Sequence, residues 1–199
     1  MKDITHAYDI TAVEYRKRYD AIPPRTEDID LAFSFIENIT NPKVMEIGCA
    51  YGREAQYILT KTNDYLGIDI SQKYIDMAQA EVSKGTFQCA DVLEVACPNQ
   101  LDTVFAFASL LHLSKDEVKK VLVKVHSSLA SGGIIFLSLK RRDSYTTEIV
   151  TDQYCARRFY YYNRDIIRKL SGELYSEVFY AEQMLKEPWF TIVLKKNNV

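Results

Sequence analysis

The stretch "VMEIGCAYGREA", Val44 to Ala55, decides how the rest of the chain is read. A short apolar run ends in three small residues, Gly48, Ala50 and Gly52, spaced two apart, and "REAQYILTK" follows with the spacing of a helix. Small residues in that pattern remove side chains where backbone turns sharply or approaches a ligand. A buried strand, a tight turn and a helix are therefore expected here.

Outward from that turn the chain alternates. "DYLGIDI" is a second strand, and Ser71 is placed to cap a helix carrying Ile75, Ala78 and Val82 on one face. "GTFQCADV" is a third strand, and "LDTVFAFA" is a fourth, uninterrupted enough for the centre of a sheet. Ser114-Lys115-Asp116-Glu117 has the form of a capping box. Val118, Val121, Leu122, Val125 and Leu129 follow at helical spacing up to Ser131-Gly132-Gly133, which reads as the helix stop. "IIFLSL" is a fifth strand. A polar segment, the aromatic run "RFYYY", a helix from about Asn163 and two strands, "LYSEVFYA" and "WFTIVLKK", complete the chain.

Two helices precede the turn. One aligns Tyr8, Ala12, Tyr15 and Tyr19; the other begins at Thr26 and aligns Ile29, Phe33 and Ile36, with Pro23-Pro24 between them. This order predicts an α/β fold with a doubly wound, mostly parallel, seven-stranded sheet. Its last strand should be antiparallel, because no crossover helix precedes "WFTIVLKK". A single domain over residues 1–199 is expected: helices capping the site over 1–40, a core over 41–140, and a substrate-side insertion with the last strands over 141–199.

Composition narrows the function classes. With 25 basic and 27 acidic residues the net charge is −2, so general attraction to nucleic acid or anionic membrane is not expected. Cys49, Cys89, Cys97 and Cys155 form no C-x-x-C pair, and His6, His112 and His126 are equally scattered, so no metal site is expected. A reducing cytoplasm is the expected compartment, with no membrane partner. Tyrosine, at 14 residues, is abundant and suits a pocket lining, having an apolar face and a polar tip.

In doubly wound folds a ligand sits at the carboxyl ends of the strands, where strand order reverses. Gly48-Cys49-Ala50-Tyr51-Gly52 occupies the first such turn, and Asp69 ends the second strand 21 positions after Gly48. A carboxylate about 20 residues beyond a glycine turn accepts the ribose hydroxyls of a nucleoside. A dinucleotide site wants a third glycine where Arg53 stands, which makes NAD the weaker ligand.

"EIGCAYG" resembles the first motif of the class I S-adenosylmethionine-dependent methyltransferases, with Ala50 in place of its central glycine. "GIDIS" resembles their second motif, "CADVLEV" their third, "FASLLHL" the segment closing the fourth strand, and "LASGGIIFLSLK" their glycine-rich turn and fifth strand. "YDITAVEYRKRY" resembles their opening helix. The resemblance implies S-adenosylmethionine as cofactor and S-adenosylhomocysteine as product. It puts Glu46 and the turn residues Gly48, Cys49, Ala50 and Gly52 at the methionine end, Asp69 on the ribose and Asp91 on the adenine, with Ile70 and Val92 as further cofactor-binding residues. Ala108 would close the fourth strand against the cofactor, and Tyr15 would face its sulfonium from the first helix. Alanine disfavours positive φ, so Ala50 matters if that turn requires it. Cys49 reads as a packing residue, since nothing near it in sequence makes a thiolate.

The implied reaction is an in-line methyl transfer to a small-molecule acceptor, governed by proximity and orientation. His112 is the candidate catalytic base, weighed evenly against a histidine that only ties down its loop. Tyr19, His112, Lys140, Arg158 and Tyr160 are the candidate acceptor-binding residues, and the basic groups among Lys140–Arg142 and Arg157–Arg158 point to an anionic acceptor. A non-catalytic sensor of the cofactor or its product is the alternative. Nucleic-acid methylation is disfavoured, because "FASLLH" stands where a base-methylating enzyme carries Asn/Asp-Pro-Pro-Tyr.

Overall fold

The computed structural model describes residues 2–36 and 39–198. Its centre is a seven-stranded sheet of β1 (Lys43–Ile47), β2 (Asp64–Asp69), β3 (Thr86–Cys89), β4 (Leu101–Phe107), β5 (Leu129–Lys140), β8 (Tyr175–Met184) and β9 (Pro188–Lys196). The spatial order is β3-β2-β1-β4-β5-β9-β8. The first five run parallel, and β9 is antiparallel to both neighbours, because only the tight turn 185–187 joins it to β8. The expected sheet and its antiparallel last strand are both observed. Strand order reverses between β1 and β4, which opens the ligand crevice at their carboxyl ends.

Both faces are buried, so the central strands need no polar alternation. Met45, Ile47, Val104 and Ala106 pack on one side with Val118, Val121, Leu122 and Val125 of α5 (Lys115–Ser128). Val44, Phe105, Phe107 and Phe136 pack on the other with α2 (Thr26–Ser34), α3 (Arg53–Ile58) and α4 (Gln72–Glu81). The helix starts are where side chains dictate them. Ser71 accepts the amide of Tyr74, Ser114 and Glu117 close a full capping box, and Asn163 accepts the amide of Ile166 to start α6 (Arg164–Ser171).

Two expectations are corrected. Ser131-Gly132-Gly133 does not stop α5, which ends at Ser128; Leu129 already pairs with Leu101. The glycines form the irregular entry to β5. Gly132 has φ +77, and a Cβ on Gly133 would lie 2.8 Å from the Leu101 carbonyl oxygen. The helix after the glycine turn is also shorter than its pattern, because Thr60 and Lys61 donate to Tyr57 and Ile58, closing tight turns three residues back.

The polar segment after β5 is half of a hairpin. β6 (Thr146–Thr151) pairs antiparallel with β7 (Ala156–Tyr161), apart from the main sheet. Helix α1 (Lys2–Asp20) packs against α4 and β7 and so bridges the crevice.

Candidate functional site

The turn after β1 is a backbone device. Gly48, Ala50 and Gly52 have φ +77, +47 and +82, so all three small residues sit in the left-handed region. A Cβ on Gly48 would collide with that of Ser109, and one on Gly52 would stand 2.9 Å from Val82 Cγ2. Ala50 does adopt the strained conformation that its sequence position raised as a question. Its amide donates to Asp69 Oδ2 at 3.0 Å, while the amides of Gly48 and Cys49 both donate to the Ile68 carbonyl. The strain of one alanine, about 1–2 kcal/mol, is held by that net of bonds.

Asp69 is buried at the end of β2, and its other oxygen accepts the Ser71 amide at 2.9 Å. Burial lifts its carboxyl to about 6, and the amides of Ser71 and Ala50 pull against that rise. Ser71 Oγ donates to Asp9 of α1, tying the capping helix to this carboxylate. A cleft of about 500 Å³ opens beside it, lined by Ile70, Cys89, Ala90 and Asp91 with Thr5, His6 and Asp9 of α1. Asp91 Oδ1 accepts the Leu93 amide, which turns the chain at the cleft wall, and Val92 is buried behind it. Ala108 is exposed, with φ +54, beyond the end of β4. The orphaned Ser109 Oγ is buried against the Gly48 turn without a partner among the described residues. A nucleoside-bearing ligand fits this arrangement: carboxylate, apolar cleft and a hydroxyl without a partner.

Beneath the turn, Glu46 is fully enclosed and accepts the Tyr65 hydroxyl at 2.6 Å. Burial first, then the charge of Glu54, pushes its carboxyl up to about 8. Cys49 is buried and its thiol is pushed far upward by burial, so it packs and does not attack. Arg53 donates to Glu54 and to the carbonyl oxygens of Tyr19 and Ile22, so this side chain joins the end of α1 to the glycine turn. Arg25, before α2, was not singled out from sequence. It lies over the Phe107 ring at 5.0 Å, donates to Ser138 Oγ and pairs with Asp28, placing a half-buried cation at the carboxyl ends of β4 and β5.

On the other side of the crevice stands His112. Its Nδ1 lies 2.8 Å from the Arg158 carbonyl, which can only accept, so Nδ1 carries the proton. Nε2 is left to accept the Tyr8 hydroxyl at 2.6 Å. Burial lowers His112 to about 4, aided by Arg157 and Lys140, so it is neutral near pH 7. Phe159 packs on the imidazole with centroids 4.7 Å apart.

Strand alternation in β7 decides which neighbours reach this cluster. Arg157 and Phe159 point in; Arg158 and Tyr160 share the opposite face, with Arg158 exposed across from Ile149 and Tyr160 stacked on Tyr145. Arg158 therefore enters the cluster through its carbonyl alone, and Arg157 is the inward cation, over Tyr15, Tyr8 and Phe159 at 4.9, 5.7 and 5.7 Å. Lys140 lies over Phe159 at 4.2 Å, but its ammonium is held by Glu187 at 2.6 Å. Tyr15 donates to Asp152 in the hairpin turn, and this bond drops the Asp152 carboxyl to about 2. Tyr19 is half exposed beside Tyr15, outside the inner cluster. Tyr8 was legible only as part of a helical stripe, and Asp152 carried no sequence signal.

Residues 44–133 match the family model described as "Methyltransferase domain". The chain has the class I methyltransferase fold. Over 98% of this chain and 95% of the other, it superposes with TM-score 0.75 and 18% identity on magnesium protoporphyrin IX methyltransferase from Synechocystis PCC 6803, solved with bound S-adenosylmethionine. A phosphoethanolamine N-methyltransferase of Plasmodium falciparum is 32% identical over 110 residues, 53% of this chain and 41% of that one. A ubiquinone biosynthesis O-methyltransferase of Dechloromonas aromatica is 24% identical over 160 residues, 76% of this chain and 66% of that one. The chain thus spans less than two thirds of the length of either relative. Among the described residues no helix is long and apolar enough to cross a membrane, and no cluster of side chains could hold a metal.

Proposed function

We propose that the chain transfers a methyl group from S-adenosylmethionine to a small acceptor bearing an acid group. The observation that carries this reading is that one helix joins the two sides: α1 bonds through Asp9 to Ser71, whose amide holds Asp69, and through Tyr8 to His112. When bound, the cofactor supplies a methyl group activated on a sulfonium. In this reading Asp69 accepts the ribose hydroxyls, Ile70, Asp91 and Val92 flank the adenine, and the Gly48–Gly52 turn lies under the methionine part. Arg25 meets its carboxylate, and Tyr15 lines the sulfonium end.

On the acceptor side, His112 is neutral and oriented by the Arg158 carbonyl, so the lone pair of Nε2 can accept a proton. Tyr8 stands on that nitrogen and relays: its hydroxyl gives its proton to Nε2 as it takes one from the acceptor. Arg157 supplies the charge for the acceptor's acid group. The four free cysteines fit a reducing compartment such as the cytoplasm.

The test is transfer of labelled methyl from S-adenosylmethionine to a panel of small amino, hydroxy and phospho compounds. Labelled product and S-adenosylhomocysteine should appear together and vanish with Asp69→Ala. Tight S-adenosylhomocysteine binding without labelled product from any panel member would favour a cofactor-sensing module instead.

A further inference from the structure

We infer that the acid group of the acceptor is a carboxylate, and that Asp152 occupies its seat on Arg157 until it arrives. This rests on the methyl-transfer reading above, which it deepens by naming the acceptor's chemistry.

Arg157 has only a tenth of its side chain exposed, and it lies among the rings of Tyr8, Tyr15 and Phe159. A buried cation in aromatic surroundings demands a counter-charge. The chain provides one from five residues upstream, across the hairpin turn: Asp152 Oδ2 takes Arg157 Nη2 at 2.5 Å. The same oxygen accepts the Tyr15 hydroxyl, and Oδ1 accepts the amides of Tyr154 and Cys155 at 2.9 and 3.0 Å. One oxygen of a carboxylate thus bridges a guanidinium and a phenol, as a ligand carboxylate would.

The seat is incompletely used. Arg157 Nε is buried and has no acceptor among the described residues, so Asp152 engages the fork at a single nitrogen. An incoming carboxylate can take Nε and Nη2 together, the paired geometry that guanidinium favours. Asp152 can yield, since it lies in the turn between β6 and β7 with 29% of its side chain exposed.

Charge selects the class. Lys140 is committed to Glu187 and His112 is neutral, so displacing Asp152 uncovers one positive charge, that of Arg157. One charge matches a carboxylate. The second charge of a phosphate dianion would be buried unmatched. Asp152 is accordingly a specificity-determining residue: it holds the cation when no acid is bound and sets the threshold an acid must overcome.

The full chain, saturated with S-adenosylhomocysteine, is titrated with acetate and with inorganic phosphate, following the acetate methyl and phosphate resonances by NMR. Asp152→Asn keeps its one oxygen for the turn amides and turns its NH2 toward Tyr15, whose hydroxyl oxygen can accept, so the competing charge is removed and the turn is kept. It should bind acetate about tenfold more tightly than the parent. Arg157→Gln should lose saturable acetate binding, and phosphate should bind no more tightly than acetate to the parent. Unchanged acetate affinity in Asp152→Asn, or tighter phosphate than acetate in the parent, would overturn the inference. Calorimetry with S-adenosylhomocysteine on the same proteins reports folding and the cofactor seat. If the parent fails to bind it while Asp152→Asn still tightens acetate, the methyl-transfer reading falls and the carboxylate seat stands. If it binds and acetate does not respond, the seat alone falls.

Discussion

The two walls of the crevice are built in opposite ways. On the side proposed for the cofactor, nearby backbone sets the key group: Ala50 and Ser71 offer amides to Asp69 over sequence separations of 19 and 2. On the acceptor side they are side chains brought from far apart, Tyr8 to His112 over 104 residues and Tyr15 to Asp152 over 137. A wall made of backbone tolerates few residue types at few positions, whereas a wall made of distant side chains can be rebuilt by changing any of several loops. In the proposed function the difference divides the work: cofactor choice in a turn, acceptor choice in the packing of α1 on the β6–β7 hairpin.

Variants on the two walls should therefore fail differently. His112→Ala removes the proposed proton acceptor and leaves the backbone wall intact. Turnover should fall by about a hundredfold or more while S-adenosylhomocysteine affinity stays unchanged. A parallel loss of affinity would show that the walls are not separate. Gly48→Ala attacks the other wall. A Cβ at φ +77 against Ser109 should cost about 3 kcal/mol and abolish cofactor binding, read by chemical denaturation and calorimetry. Ala50→Gly should move the opposite way, relieving φ +47 and changing stability by no more than about 1 kcal/mol.

Glu46 gives a pH signature of the same wall. Its folded carboxyl titrates at about 8, above its ordinary 4.5, so folding favours the protonated form. Its contribution is fully present below about 4.5 and is lost as pH rises through about 8. Glu46→Gln cannot ionise and should gain on the parent as pH rises. The gap should shift by roughly 3 kcal/mol between mildly acidic and mildly alkaline solution. Equal pH dependence in the two proteins would place the ionised carboxylate in the folded core.

The sequence was most readable where one residue type decides one local geometry. Ser71, Ser114 and Asn163 cap their helices, and the spacing from Gly48 to Asp69 brings the turn and the carboxylate together. The seven-stranded, mostly parallel sheet and its antiparallel last strand, too, followed from alternation and from the lack of a crossover helix before β9. Legibility ended where contact depends on facing. The basic pair Arg157–Arg158 was visible, but which of them points inward depends on the register of β7 with β6, and β6 itself reads as a polar stretch because all its residues but Val150 are exposed. Lys140 carried a charge whose partner, Glu187, comes from the β8–β9 turn. Arg25 lay outside every motif, and only the docking of α2 brings it over Phe107.

The most direct test is the affinity for S-adenosylhomocysteine against pH, by calorimetry, in the parent and in Asp69→Asn. Asp69 titrates at about 6, and the proposed contact with the ribose hydroxyls needs its charged form as acceptor. The parent should bind with constant affinity above that value and lose up to about tenfold per pH unit below it. Asp69→Asn should bind far more weakly at neutral pH, with a flat profile. A parent whose affinity is level down to about pH 5, with an Asn variant that binds as tightly, would contradict the placement of the cofactor on this carboxylate.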